Sequence, residues 1–322
     1  MALTPTLAPG PQTADAGRSA RGRRGRVKTP PHRRDNRTAY LMIAPMVILL
    51  GIFVMWPLVY SVYLSTYEIN FYRGSTFVGL QFYRYVLESP DFWHSIVVGL
   101  YYSALTVPAM IIIALLLASF IKTLSRRAAA FMKTTVYLPT VVSTVVASVL
   151  FVLIYQDEGV ANWLLSLISF GPVNWLNDPQ LALPAIAVPG IWLGFGLTTL
   201  ILLAALLDIP ESYYEQAALD GAGFFARLWY VTLPLLKNVL LYLFVTGFTL
   251  AIQMIDLPLI MTNGGPSEAT NTPNLYIFNT FRDVTPYATS YSLTASLLLF
   301  VVIGAISAVV FRLVRSDKAI DG

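Results

Sequence analysis

The chain of 322 residues contains no cysteine and only two histidines, His32 and His94. The absence of cysteine excludes disulfides, thiolate nucleophiles and thiolate metal ligands. Two histidines that lie far apart give no basis for a metal centre or a histidine-dependent catalytic site, so we expect no metal and no catalytic residue. The sequence also lacks the GxxxxGK[ST] pattern of a P-loop. We therefore expect any ATP that drives its function to bind to another protein.

Charged residues are scarce as well. Asp, Glu, Lys and Arg together make up 12% of the chain, whereas hydrophobic residues make up 56%. A soluble domain carries about 25% charged residues. With a mean hydropathy of +0.65, the chain is predicted to be a polytopic membrane protein.

Six apolar runs are long enough to cross a membrane, which takes about 20 residues. They cover residues 40–64, 95–121, 131–155, 183–206, 237–261 and 291–313. The runs predict an all-α membrane protein with six transmembrane helices. Between the third and fourth runs, Val160, Trp163, Leu164 and Leu167 follow a helical spacing, which predicts a short interfacial helix.

Basic residues are distributed unequally between the two sides of this topology. Residues 1–38 form a basic, Pro- and Gly-rich tail that we expect to be disordered; it serves either as a topology signal or as a contact for anionic membrane lipid. Eighteen of the 21 Lys and Arg residues lie on the side of the N-terminus, and three, Arg73, Arg84 and Arg282, lie on the other side. The positive-inside rule then predicts that both termini are cytoplasmic. It also accounts for the pI of about 9.2 without a nucleic-acid partner.

One long polar segment interrupts the apolar runs. We call residues 208–236 the 208–236 loop, and the topology predicts that it is cytoplasmic. Pro210 suits the first position of a helix, with Glu211 and Glu215 on one face near its N-terminus. Gly221 is expected to end that helix in the left-handed conformation. Residues 224–229 should form a second short amphipathic helix, and Leu233-Pro234 should stop it and turn the chain back into the membrane.

The spacing of this loop resembles the EAA loop of ABC importer permeases, which reads Glu-Ala-Ala, three residues, Gly, nine residues, Ile, one residue, Leu-Pro. The matching positions are Glu215, Gln216, Ala217, Gly221, Val231, Leu233 and Pro234. Gln216 replaces Ala and Val231 replaces Ile, and neither change puts the role of the loop in doubt. The resemblance implies that Glu215, Gln216, Ala217, Asp220, Gly221, Leu233 and Pro234 couple this chain to an ATPase subunit.

The resemblance extends over most of residues 39–316. MTNGGP at residues 261–266 resembles the turn after the fifth span of the maltose-type (MalF-like) first permease subunit. This implies a type I ABC importer permease (MetI-like) fold with a cytoplasmic coupling helix, a six-helix domain at 39–316 with its core at 92–316, and a short tail at 317–322.

The same resemblance implies the function and the partners. The chain would be a permease subunit of a binding-protein-dependent sugar importer in the bacterial inner membrane. Its partners would be a second, MalG-like permease subunit, two ABC ATPase subunits that bind ATP and Mg, and an extracytoplasmic substrate-binding protein.

Candidates for the substrate path come from the third, fourth and fifth runs, which line the cavity in the family. They are Ser143, Trp192, Gly194, Gln253 and Asp256. Asp256 is the only acid within a run, which makes it a candidate for function. Three interpretations of it remain open: it lines the cavity, it makes a structural or inter-subunit contact, or it is solvated at the outer interface. Trp192 either stacks on a sugar ring or anchors the helix at the membrane interface.

Three other functions compete with sugar import by an ABC permease. A secondary transporter would need an ion relay in the spans, for which Asp256 alone is weak support. The same architecture could import glycerol phosphate, an oligopeptide or another small polar solute, although no Lys or Arg lies deep within a run, where it could bind an anion. A membrane anchor or sensor would have no use for the EAA spacing.

Overall fold

The computed structural model describes residues 36–70, 74–169, 171–285 and 287–315. The described chain is mainly helical and divides into two compact units, Met1–Trp56 and Pro57–Gly322. Most of the predicted basic tail, residues 1–35, and the predicted C-terminal tail at 317–322 lie outside the described residues, as does Arg73.

The described part of the first unit is helical throughout. Helix α1 spans Asn36–Leu50 and therefore begins within the segment predicted as a tail. A π-helical segment, Gly51–Met55, follows, and the N–H of Trp56 donates to the carbonyl oxygen of Gly51. From Tyr40 onwards these residues belong to the first apolar run. The segment Tyr40–Leu64 is long and apolar enough to span a membrane.

The remaining elements follow in chain order. They are α2 (Trp56–Leu64), β1 (Tyr67–Glu68), β2 (Thr76–Phe77), α3 (Gln81–Glu88), α4 (Pro90–Thr123), α5 (Arg126–Tyr137), a 3-10 turn (Leu138–Val141), α6 (Thr144–Ile154), α7 (Val160–Ser166), α8 (Ala182–Leu207), α9 (Glu211–Leu219), α10 (Phe224–Arg227), a π-helical segment (Leu228–Thr232), α11 (Leu233–Ile252), α12 (Asp256–Met261), α13 (Pro273–Arg282) and α14 (Ala288–Arg315). Strands β1 and β2 pair antiparallel, with Tyr67 opposite Phe77.

The third predicted span is sharply bent, the fifth is briefly interrupted, and the other four are unbroken helical segments. The described chain has long apolar helices at Tyr40–Leu64, Pro90–Lys122, Ala182–Leu207, Phe224–Met261 and Ala288–Val309. The predicted third span, residues 131–155, is bent by 93° between Arg126–Val141 and Thr144–Ile154. Pro139 lies in the 3-10 turn at this break and Ser143 is extended, with φ −61° and ψ 138°. Because proline donates no backbone hydrogen bond, it favours a break there. The third apolar run is therefore a bent pair of helical segments, and the described chain has six spans if this pair counts as one.

The fifth predicted span also differs from expectation. It was placed at 237–261, but α11 ends at Ile252 and α12 begins at Asp256. The backbone of residues 253–255 is therefore not helical. Asp256 lies within the apolar segment Phe224–Met261, as expected, and it starts the short helix α12, where an acid complements the positive end of the helix dipole.

The helices α4, α8 and α11 form the centre of the second unit. Helix α4 packs along α8 and α11, while α14 packs against α11 and α13. Lys122 in the last turn of α4 contacts Leu206 in the last turn of α8, so these two helices run parallel. We call the end of the unit where they finish the loop end. A cluster that includes Ala118, Leu202 and Leu236 fills the core near it.

The predicted interfacial helix is present as α7. Its residues Val160, Trp163 and Leu164 are exposed. On the opposite face Asn162 is buried and fixes the following turn: its Nδ2 donates to the carbonyl oxygens of Gln156 and Val173, and its Oδ1 accepts from the N–H of Val173 and from Nε1 of Trp175. All the hydrogen-bonding capacity of this amide is used, which holds α7 against the chain that leads to α8.

Candidate functional site

The 208–236 loop begins with the regular helix α9. Helix α9 begins at Glu211, and Pro210 precedes it with φ −57° and ψ 135°. Pro210 was predicted at the first helical position, and it lies one residue before that position. Its fixed φ still suits a helix start, and it cannot extend the helix backwards.

Gly221 ends α9 as predicted. Its φ is +75°, a conformation that costs little only for glycine. The N–H of Ala222 donates to the carbonyl oxygen of Ala217 at 2.9 Å, and the N–H of Gly221 donates to that of Ala218 at 3.0 Å. This pair of bonds is a Schellman motif, which satisfies carbonyls that the helix end leaves open.

The second half of the loop was predicted wrongly in one respect. Leu233-Pro234 does not stop a helix; α10, the π-helical segment and α11 follow one another without a break. Pro234 lies at the start of α11, and the N–H of Leu233 donates to the carbonyl oxygen of Leu228, five residues earlier. The wider π-helical turn accommodates a proline that lacks an N–H.

Most of the loop's side chains face away from the protein. Glu215, Gln216 and Asp220 are exposed, Ala217 and Leu233 are half-buried, and Pro234 is exposed. Leu219 and Phe225 are 89% and 79% exposed. Phe224, Phe225, Leu228 and Trp229 were expected to form the apolar face of the second short helix. Phe224, Phe225 and Trp229 are exposed, and of the four only Leu228 packs against the core. A group of exposed apolar and aromatic side chains on one surface is typical of a protein-binding surface.

A cavity of about 340 Å³ lies between α4, the 3-10 turn, α8 and α11. Six of its lining residues bear hydroxyl groups, with at least one on each of these four elements; the other eleven are apolar or glycine, and none of the lining residues is charged. The hydroxyl-bearing residues are Tyr102, Thr106, Thr140, Thr198, Tyr242 and Thr246. Thr106, Thr198 and Thr246 donate to carbonyl oxygens four residues earlier in their helices. Their oxygens keep lone pairs that can accept hydrogen bonds from a solute.

Glycines give this cavity its shape. Gly190 and Gly194 both line it. A Cβ atom on Gly190 would lie 2.3 Å from the hydroxyl of Tyr102, and one on Gly194 would lie 2.6 Å from Sδ of Met110. These two positions let large side chains of α4 approach the backbone of α8.

The five predicted substrate-path residues are not brought together. Gly194 lines the hydroxyl-lined cavity. Gln253 lines a separate cavity of about 430 Å³ between α11, α13 and α14, and its Nε2 donates to the carbonyl oxygen of Thr249. Ser143 is exposed at the break before α6, and Asp256 is exposed at the start of α12. The Trp192 ring packs edge-on against Phe151, with 5.8 Å between centroids.

The sequence contained a signal for the cavity residues that was missed. Tyr102 and Thr106 are four residues apart, as are Gly194 and Thr198, and Tyr242 and Thr246. Residues four apart lie on one helix face. Three apolar runs each carry such a pair, and the pairs face one another in the fold.

Comparisons with known proteins agree with this architecture. A family model described as "Binding-protein-dependent transport system inner membrane component" matches residues 110–317. The chain is 34% identical over 253 residues to the trehalose/maltose transport system permease protein MalF of Thermococcus litoralis, which covers 77% of this chain and 85% of the relative. It is 32% identical over 286 residues to the lactose transport system permease protein LacF of Rhizobium radiobacter, which covers 87% of this chain and 94% of the relative.

A solved structure has the same fold. It is that of a bacterial ABC transporter involved in the import of the acidic polysaccharide alginate, with a TM-score of 0.71 and 23% identity over 88% of this chain and 97% of that chain. The predicted MetI-like permease fold is confirmed. Because its model matches residues 110–317 and both curated relatives match over most of their length, this multi-pass membrane protein belongs to the family of binding-protein-dependent transport system inner membrane components, the permeases of ABC importers.

Proposed function

We propose that this chain is the sugar-translocating permease subunit of an ATP-driven importer in the bacterial inner membrane. It forms half of the path, and a second permease subunit forms the other half. Two ABC ATPase subunits, which hold ATP and Mg, dock on the 208–236 loops, and an extracytoplasmic protein delivers the sugar. The chain itself moves the solute and catalyses no covalent step.

The observation that carries this proposal is the 208–236 loop. Its exposed acid Glu215, exposed apolar residues and glycine turn form a surface at one end of the bundle, anchored on both sides by long helices. The basic residues Lys122, Arg126 and Arg227 lie near the same end, which supports a cytoplasmic position for the loop and for both termini. Since the sequence has no P-loop, a surface of this kind needs an ATPase partner.

The hydroxyl-lined cavity supports a sugar as the substrate. Lone pairs on Thr106, Thr198 and Thr246 suit the donating hydroxyls of a sugar, and no lining residue carries a charge for an anion. The relatives named for trehalose/maltose and lactose support the same class. We retain Gly194 as a residue of the sugar path. We also retain Ser143, Trp192, Gln253 and Asp256, on the condition that the second permease subunit completes the path beside them.

The test reverses the charge of Glu215 in the complex that contains both permeases, the ATPases and the binding protein. By the resemblance to the EAA loop, Glu215 meets a basic residue of the ATPase subunit. In Glu215→Lys, sugar uptake should therefore fall about 100-fold or more, since like charges placed together in an interface cost several kcal/mol. Membrane insertion should not change. Glu158→Lys is the matched control, because Glu158 is an exposed acid in the turn between α6 and α7. Normal uptake by Glu215→Lys would refute the docking role of the loop.

A further inference from the structure

One ammonium group joins three helices at the loop end. Lys122 lies in the last turn of α4, and its Nζ donates to the carbonyl oxygen of Leu206 in the last turn of α8 at 3.3 Å. The same Nζ lies 4.2 Å from the centre of the Tyr214 ring in α9. A cation over an aromatic face within about 6 Å is attracted to it. Carbonyls in the last turn of a helix lack a partner in the helix and favour a nearby cation.

The hydroxyl of Tyr214 makes a further contact on the other side. Its Oη lies 3.2 Å from Oγ1 of Thr232, a residue that is only 4% exposed. Thr232 ends the π-helical segment that leads into α11, and its Oγ1 also lies 3.3 Å from the carbonyl oxygen of Arg227. The ring of Tyr214 is therefore held to α4 and, through Lys122, to α8, and its hydroxyl contacts the π-helical segment that continues into α11.

Little else attaches α9 to the protein. Of its nine residues, only Tyr214 and Ala217 are half-buried, and the other seven are exposed. Ala217 has a single methyl group and offers a small contact. The helix is flanked by Pro210 and by Gly221, whose backbone permits a change of direction. Without Tyr214, α9 would be held mainly by its two chain connections.

We propose that Lys122 and Tyr214 are positioning residues that pass the displacement of α9 to α4, α8 and α11. We call their contact the Lys122–Tyr214 joint. The inference rests on the proposed function, in which an ATPase subunit pushes on α9. A helix tied to three spans at one point moves with them as a rigid body. A helix without that tie tilts on its connections, and the motion of the ATPase does not reach the cavity.

The joint predicts a loss of coupling that leaves the ATPase itself intact. Lys122→Met keeps the apolar stem of the side chain and removes the ammonium, whereas Tyr214→Leu removes both the ring and the hydroxyl. In the reconstituted complex, the ATPase activity stimulated by the loaded binding protein should fall about tenfold in each variant. Basal ATPase activity and copurification of the ATPase subunits should stay as in the unaltered complex.

Two conservative variants separate this role from a purely structural one. Lys122→Arg should keep most of the stimulation, because a guanidinium also stacks on an aromatic ring. Tyr214→Phe should show an intermediate loss, since it keeps the ring and loses only the contact with Thr232. Combining Lys122→Met with Tyr214→Leu should cost less than the product of the two single losses, because both variants remove the same Lys122–Tyr214 contact.

The outcomes distinguish the joint from the proposed function. Stimulation at the unaltered level in both Lys122→Met and Tyr214→Leu would overturn the joint and leave the docking of the ATPases standing. A parallel fall in basal activity, copurification and thermal stability would also overturn it, because the pair would then only hold the fold. If the unaltered chain itself failed to copurify with ATPase subunits, the proposed function would be wrong and the joint with it.

Discussion

The 208–236 loop and the span α8, which forms one wall of the hydroxyl-lined cavity, use the same residue type, glycine, for different reasons. In the loop, Gly221 has a φ of +75°, and a Cβ atom there would meet nothing within 4 Å. In the span α8, Gly196 has no unusual φ, but a Cβ atom would lie 2.5 Å from the carbonyl oxygen of Val136 and 2.7 Å from Oγ1 of Thr140. The loop needs glycine for its backbone conformation, whereas the span needs it for space.

This difference reflects how each region obtains its shape. The loop is formed by neighbours in sequence, from Pro210 to Pro234, and its side chains remain exposed for a partner. The cavity is formed by residues from four elements that are far apart in sequence, and it exists only when the spans pack closely. Substitutions in the loop should therefore act mainly on coupling, whereas substitutions that crowd the close contacts between spans should act mainly on folding.

The largest effect on folding is expected at Gly196. Gly196→Ala places a methyl group against backbone atoms that cannot move aside, so the free energy of unfolding should fall by about 2 kcal/mol. Gly304→Ala is the matched control, because Gly304 lies in α14 and a Cβ atom there meets nothing within 4 Å. This control should gain up to about 1 kcal/mol from the better helix propensity of alanine. Unfolding of the purified variants in mixed detergent micelles measures both changes in free energy. Equal changes in Gly196→Ala and Gly304→Ala would show that Gly196 is not needed for space.

A smaller effect on folding and a larger one on coupling are expected at Gly221. Gly221→Ala forces a residue with a Cβ atom into the left-handed region, at a cost of about 1–2 kcal/mol. Relief of this strain would reorient the end of α9, so stimulated ATPase activity should fall several-fold. Gly223→Ala is the control, since Gly223 has a φ of −73° and open space around it. Identical behaviour of the two variants would show that the turn does not depend on its left-handed residue.

The smallest effect on folding is expected at Tyr102, which is 1% exposed. Tyr102→Phe removes only the hydroxyl, so the free energy of unfolding should hardly change. The KM for sugar uptake should rise about fivefold, the effect of losing one hydrogen bond of ~1 kcal/mol. Tyr137→Phe, at a half-exposed position in α5, should leave the KM unaltered. An unchanged KM in Tyr102→Phe would remove this hydroxyl from the path.

The comparison also explains what the sequence could and could not predict. The EAA-like spacing, the αL stop at Gly221 and the approximate positions of the spans follow from local composition, and they agree with the fold. The 93° bend at residues 142–143 was missed because hydropathy measures composition along the chain and carries no information about direction. The continuity of α10 and α11 was missed because proline was taken as a stop, whereas a π-helical turn accommodates it.

The candidate path residues were harder to predict than the loop. Trp192 and Gly194 are two residues apart, so they point to different sides of α8: one packs on Phe151 and the other lines the cavity. Nothing in the local sequence decides which side faces the solute. That choice is made by the packing of α4 against α8, which brings Met110 to Gly194 and Tyr102 to Gly190.

The π-helical segment Leu228–Thr232 has a consequence for the direction in which the loop faces. A π-helical turn holds one residue more than an α-helical turn, and each residue rotates an α-helix by about 100°. The inserted residue therefore rotates the loop relative to α11 by about 100° around the axis of that helix. Removal of that residue would let the segment rewind as an α-helix and turn everything before it by about 100° around the axis of α11. The orientation of the loop on the bundle is thus set by the number of residues between Arg227 and Leu233, independently of their chemical nature.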